Sequence, residues 1–157
     1  MMEDTQIQKK IVPAPILVVL CLGAGWAAHH FDRRPFLPDL PVARQAISAV
    51  LFVLGLALGL AALSQFRSHK TPTSPYAPAT TVVTSGVFRY TRNPMYLGFV
   101  LLAVGMAMGM NSVWLLLASA LLSILLHYLV VKPEEAYLAE RFGPMFSDYC
   151  SRTRRWF

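Results

Sequence analysis

Residues 93–131 read NPMYLGFVLLAVGMAMGMNSVWLLLASALLSILLHYLVV, without a single Lys, Arg, Asp or Glu. A membrane-spanning helix needs about 20 mostly apolar residues, each adding about 1.5 Å of length. As one straight helix this stretch would be nearly twice as long as the hydrocarbon core is thick. The break at Gly109-Met110-Asn111-Ser112 resolves the excess. The stretch predicts two spans, 94–110 and 113–131, folded back on each other as a hairpin.

Two further uncharged blocks precede it, Ile11 to Phe31 and Gln45 to Phe66. They predict one span each, at about 11–31 and 44–66. Only 14% of the chain is charged, against roughly 25% in soluble proteins. A buried soluble core accounts for one such block but hardly for four. The expectation is therefore an all-α integral membrane protein, a single membrane domain over residues 1–157 with about four transmembrane helices. Lys9 and Lys10 before the first apolar run have the look of a secretory signal. The run is long for one, and His29, His30 and Phe31 follow it where small residues are expected, so an uncleaved span is predicted. Cys21 lies inside that span and Cys150 far from it, which makes a disulfide implausible and leaves no zinc spacing.

Positive charge sets the orientation. With four spans, one side carries Lys9, Lys10, Arg67, Lys70, Arg89, Arg92, Lys132, Arg141, Arg152, Arg154 and Arg155, and the other only Arg33, Arg34 and Arg44. Eleven against three predicts that both termini are cytoplasmic, and the brevity of the chain suggests a bacterial inner membrane. The net charge of +6 then calls for no nucleic-acid partner, because basic residues beside a bilayer attract anionic headgroups at roughly 1 kcal/mol each. Arg154-Arg155-Trp156-Phe157 suits an interfacial anchor.

Residues 32–43, with Pro35, Pro38 and Pro41, predict an extended far-side connection. Gly55-x-x-x-Gly59 and Gly105-x-x-x-Gly109 are small-residue pairs that let helix backbones approach, and packing within the bundle is expected of them in preference to dimerisation. The cytoplasmic loop 67–93 is proline-rich at first (Pro72, Pro75, Pro78) and re-enters the membrane at Asn93-Pro94. Asn93 suits an N-cap there, and Pro94 suits a first helical turn. Beyond span four, cytoplasmic helices are expected over 133–157: Pro133 opens a polar helix with Glu134 and Glu135 in its first turn, where the helix dipole favours acids. A hairpin returns to the side it left. Topology alone thus brings Arg92, Asn93 and Tyr96 near Lys132, Glu134 and Glu135, in a polar pocket at the membrane surface.

The run Thr84-Ser85-Gly86-Val87-Phe88-Arg89-Tyr90-Thr91-Arg92-Asn93-Pro94-Met95-Tyr96-Leu97-Gly98, with the later Glu134-Glu135, Leu138, Phe142-Gly143 and Tyr149, resembles the signature of the isoprenylcysteine carboxyl methyltransferase family. The resemblance covers roughly residues 76–157. The wider superfamily includes phospholipid N-methyltransferases and thiol S-methyltransferases. It implies S-adenosyl-L-methionine as cofactor, bound without a Rossmann domain, and this sequence has no strand–Gly-x-Gly-x-x-Gly–helix unit. By motif matching it implies cofactor contacts from Thr81, Val82, Val83, Phe88, Asn93, Pro94, Met95, Tyr96 and Glu134. Arg92, Tyr96 and Glu135 are then the catalytic candidates, and Lys132 and His127 the substrate candidates. Phe88 replaces a tyrosine of the family, and an arginine associated with a substrate carboxylate aligns with Val130.

The chemistry of these residues suits such a ligand. A carboxylate such as Glu134 can accept from ribose hydroxyls or pair with an ammonium, and aromatic faces such as Phe88, Tyr90 or Tyr96 attract a sulfonium by about 0.5–2 kcal/mol. An amine or thiol acceptor must also lose a proton, for which Tyr96, His127 and Glu135 are the candidates. The expected partner is a lipid or lipidated small molecule, and no metal site is read. Two other classes stay in view. A four-span transporter needs an ionisable group in the membrane, whereas every carboxylate here lies outside the apolar spans. A non-enzymatic scaffold would leave the clustering of polar groups a coincidence.

Overall fold

The computed structural model describes residues 12–38, 40–71 and 79–157, so expectations for Lys9, Lys10, Ile11, Pro72, Pro75 and Pro78 fall outside the described residues. Among the described residues six helices follow one another: α1 (Ala14–Phe31), α2 (Pro41–Ser68), α3 (Pro94–Met110), α4 (Val113–Leu126), α5 (Lys132–Phe142) and α6 (Pro144–Arg152). A 3₁₀ turn at Gly86–Arg89 precedes α3, and a π-helical turn at His127–Val131 joins α4 to α5. The described residues contain no strand. Among the described residues three helical stretches are long and apolar enough to cross a membrane: Ala14–Phe31, Pro41–Ser68 and the unbroken run Val113–Phe142. The apolar α3, at 17 residues, sits at the lower end of the spanning range of about 17–25. The chain is an all-α integral membrane protein.

Two expectations about helix ends change. Pro41 does not belong to the far-side connection but opens α2, because a first-turn residue has no helical N–H bond to lose. Pro133 does not start a separate helix either. Inside a helix its ring crowds the carbonyl four residues back and its missing N–H leaves that carbonyl unpaired. The π turn absorbs this: Lys132 N–H bonds the carbonyl of His127, five positions earlier, and the helix continues. Glu134 and Glu135 therefore stand inside a continuous helix rather than at a positive N-terminus, and the dipole does not explain them.

Packing places the helices in the order α2, α3, α4, α1. α2 and α3 meet backbone to backbone, since a Cβ on Gly55 would come within 2.8 Å of the Gly98 carbonyl and one on Gly98 within 2.7 Å of the Gly55 carbonyl. Ser48 Oγ donates to the Gly105 carbonyl at 2.8 Å along the same seam. Gly25 gives α1 a similar approach to Ala118 of α4. Gly55, Gly98, Gly105 and Gly25 thus serve contacts within the bundle, whereas a Cβ on Gly59 would meet nothing within 4 Å.

The hairpin turn is held by Asn111, in the left-handed region at φ 48°. Its Oδ1 accepts from Phe36 and Leu37 N–H at 3.2 and 3.1 Å, and its Nδ2 donates to the Leu37 carbonyl. Ser112 caps α4 by accepting from Leu115 N–H. At the other end Gly143 (φ 51°) reverses the chain between α5 and α6, a conformation that glycine adopts without a Cβ penalty. α6 then turns Phe146 and Tyr149 onto Ala62, Val83 and Phe88, forming a second core that closes this end of the bundle.

Candidate functional site

The hydroxyl of Tyr96, in the first turn of α3, donates to Oε2 of Glu134 in α5 at 2.8 Å. This is the junction that the hairpin topology predicts between the two halves of the motif. Among the described residues no Lys or Arg pairs with Glu134. Glu134 follows the apolar run that ends at Val131, and burial pushes its carboxyl above the usual range; the Tyr96 hydrogen bond opposes this and the neighbouring Glu135 adds to it. A largely buried carboxylate with one neutral donor is electrostatically incomplete, and a cation would complete it.

Glu135, adjacent in sequence, has a different environment. Arg155 grips both its oxygens, with Nε at 3.1 and 3.0 Å and Nη2 at 2.7 Å. Arg92 Nε lies 3.5 Å from Glu135 Oε1, and both of those side chains are only 14% exposed. Glu135 is thus neutralised by two guanidiniums, which leaves it poorly suited to proton transfer. The two acids of the motif split into a satisfied one and an unsatisfied one.

Residues 153–156 complete the arrangement. The Arg155 carbonyl accepts from Asn93 Nδ2 at 3.0 Å and Thr91 Oγ1 at 3.2 Å, and Arg92 N–H donates to the Arg154 carbonyl at 2.9 Å. Asn93 occupies the N-cap position of α3, but its side chain makes no cap hydrogen bond. Its amide reaches across the chain to Arg155 instead. Arg155 therefore ties the loop before α3, through its carbonyl, to α5, through its guanidinium. Arg155 is not among the residues that the motif implies; the signal for it in the sequence is that two adjacent acids call for cations, while Arg154-Arg155 also suits an interfacial anchor.

The remaining candidates are placed differently. His127 Nδ1 takes the indole N–H of Trp156 at 3.4 Å, which occupies it. Lys132 is exposed and lies over the Tyr128 ring at 4.5 Å from its centroid. Val83 and Phe88 are buried in the second core, where Phe88 meets Phe66 edge to face at 5.2 Å between centroids and Val82 packs alongside. Tyr149 donates to the Phe88 carbonyl at 2.7 Å, and burial keeps its hydroxyl protonated by raising its pKa. Thr81 is partly buried at the edge of this region. Asn93 and Pro94 are buried, and Met95 and Tyr96 line a cavity.

That cavity, of about 460 Å³, lies where α3 separates α1 from α2. Val12 to Pro15 form one wall, Gly55 to Leu63 of α2 the other, and Gly98, Phe99 and Leu102 the floor, with Tyr96 and Val130 beside it. Among the described residues no charged one lines it, and Tyr96 brings the Glu134 pair to its edge. The arrangement joins a hydrocarbon-compatible groove to an incompletely neutralised carboxylate.

The model of the phospholipid methyltransferase family matches residues 43–145 of the 157. The match includes Gly55, Asn93, Tyr96, Glu134 and Glu135, and it does not single out isoprenylcysteine carboxyl methyltransferases. Neither the curated proteins nor the solved structures give a match. Matched over most of its length, the chain belongs to the phospholipid methyltransferase family, a family of membrane methyltransferases.

Proposed function

We propose that the protein is an S-adenosylmethionine-dependent methyltransferase that methylates the amine headgroup of a membrane lipid, with its site at the cytoplasmic surface. The supporting observation is the Tyr96–Glu134 pair at the edge of the apolar groove. S-adenosylmethionine, when bound, supplies an electrophilic methyl group on a sulfonium. Glu134, incompletely neutralised by protein, fits that cofactor's positive groups. Asn93, Pro94 and Met95, fixed by the Arg155 contacts and the start of α3, are the neighbouring positions for the rest of it.

The acceptor class follows from charge. A carboxylate acceptor needs a cation, and among the described residues none lines the groove: Val130 stands at the aligned position and Lys132 lies over the Tyr128 ring. An amine headgroup meets Tyr96 and Glu134 instead. Tyr96 Oη, donating to Glu134 Oε2, accepts a hydrogen bond from the headgroup nitrogen once its ammonium proton has passed to water at the membrane surface, so the lone pair is free and Glu134 keeps its charge for the cofactor. Glu135 and His127, engaged with Arg155 and Trp156, are not needed for this transfer. The fixed groups then act by positioning and by excluding water.

The test is transfer of labelled methyl from S-adenosylmethionine in vesicles containing phosphatidylethanolamine. A base-stable labelled lipid supports an amine acceptor. A base-labile ester would point to the isoprenylcysteine-type reaction, and no transfer to any lipid would overturn the proposal.

A further inference from the structure

We infer that Gly59 holds open a binding site for the hydrocarbon chain of the acceptor lipid, along the groove between α1 and α2. This rests on the proposed function for the identity of the acceptor, while the groove itself stands on separate observations.

Gly55 and Gly59 lie one turn apart on α2, yet their reasons for being glycine differ. A Cβ on Gly55 would meet the Gly98 carbonyl at 2.8 Å, so helix packing requires its absence. A Cβ on Gly59 would meet nothing within 4 Å, and its backbone is not in the left-handed region. Glycine inside a helix is disfavoured because it gives up the most backbone freedom on folding. At Gly59 neither packing nor backbone geometry offsets that. What the missing side chain leaves is space, and Gly59 is one of the cavity's walls. Gly23 also meets nothing, but it lies on the exposed surface of α1 and does not line the cavity.

The surroundings define the occupant. Apart from Tyr96 the walls are apolar, and Leu56 and Leu60 of α2 are more than half exposed, so the groove opens sideways onto the bilayer. A lipid chain enters from that side without crossing water. Lying between Leu60, Leu63 and Phe99, it brings its headgroup to Tyr96. A side chain at position 59 would occupy the same volume.

The experiment uses the full chain in phosphatidylcholine vesicles doped with a phosphatidylethanolamine that carries a photoreactive diazirine on one acyl chain. In the wild type, crosslinks fall in residues 12–15, 55–63 and 95–102. Gly59→Leu lowers that labelling by about tenfold or more, the scale on which an apolar pocket responds to small changes in volume. S-adenosylmethionine affinity and the thermal midpoint stay unchanged, and Gly23→Leu does not alter labelling. Leu63→Trp fills the groove from the next turn and serves if Gly59→Leu does not fold. Labelling that is unchanged in both filled variants, or confined to other helices, would overturn the inference. Groove labelling in a protein that binds no S-adenosylmethionine would contradict the proposed function and leave the groove assignment standing.

Discussion

Tyr96 and Glu134, 38 positions apart, share a hydrogen bond of 2.8 Å between the first turn of α3 and the helix that continues α4. Replacing Tyr96 with Phe keeps the ring packed and removes the one donor to a largely buried carboxylate. A hydrogen bond to a charged group contributes about 1.5–3 kcal/mol, so Tyr96→Phe is expected to reduce methyl transfer by at least about tenfold. Steady-state rates in vesicles check this, and a rate within twofold of wild type would remove Tyr96 from the proposed site.

The pH dependence follows from Glu134. Burial raises its carboxyl pKa in the folded protein, so the folded state holds the proton more tightly than the unfolded chain does. Its contribution to stability is present below the ordinary carboxylate range and is lost as pH rises through the raised value. Cofactor binding runs the opposite way, because the ionised form is the one that takes a cation. Thermal melts of the apo protein should therefore fall as pH rises through this titration, while S-adenosylmethionine affinity rises. Glu134→Gln should flatten both trends.

Glu135 is expected to act on stability more than on chemistry. Glu135→Ala leaves Arg92, only 14% exposed, without its anion, and breaking a buried pair costs about 3–5 kcal/mol. Arg155→Ala should cost less, since Arg155 is 36% exposed at its side chain and partly solvated pairs contribute about 1 kcal/mol or less. Denaturation in detergent compares the two, and the reverse order would contradict the assignment.

The two glycines of α2 give an internal control. Gly55→Ala forces the α2–α3 backbones apart and is expected to destabilise by about 1–3 kcal/mol. Gly59→Ala meets open space and should be neutral or stabilising by about 0.5–1 kcal/mol through helix propensity. Thermal unfolding of the two variants side by side decides between this and a common packing role.

Much of this architecture can be read from residue types. Uncharged blocks longer than 15 residues have few outcomes other than membrane helices, and Gly109-Met110-Asn111-Ser112 can do little but turn. The proximity of Asn93–Tyr96 to Glu134 needs only the return of a hairpin. The features that stay hidden depend on contacts distant in sequence. Pro133 signals a helix start in sequence, and only the i−5 bond from Lys132 to His127 shows that the helix runs on. Asn93 has cap chemistry, but its amide is drawn away by the Arg155 carbonyl 62 positions later. Glu134 and Glu135 look equivalent until Arg155 and Arg92 are placed around one of them. Gly55 and Gly59 share one motif, and their different roles depend on where Gly98 lies.

Among the described residues no Lys or Arg pairs with Glu134, and its carboxylate awaits a cation from the cofactor. Calorimetric titration of S-adenosylmethionine into purified wild type and Glu134→Gln, matched for thermal midpoint, tests it most directly. Saturable binding by the wild type, with affinity at least about tenfold lower in the variant (~1.4 kcal/mol), is the expected result. Equal affinity in the two proteins, or no binding by the wild type, would contradict it.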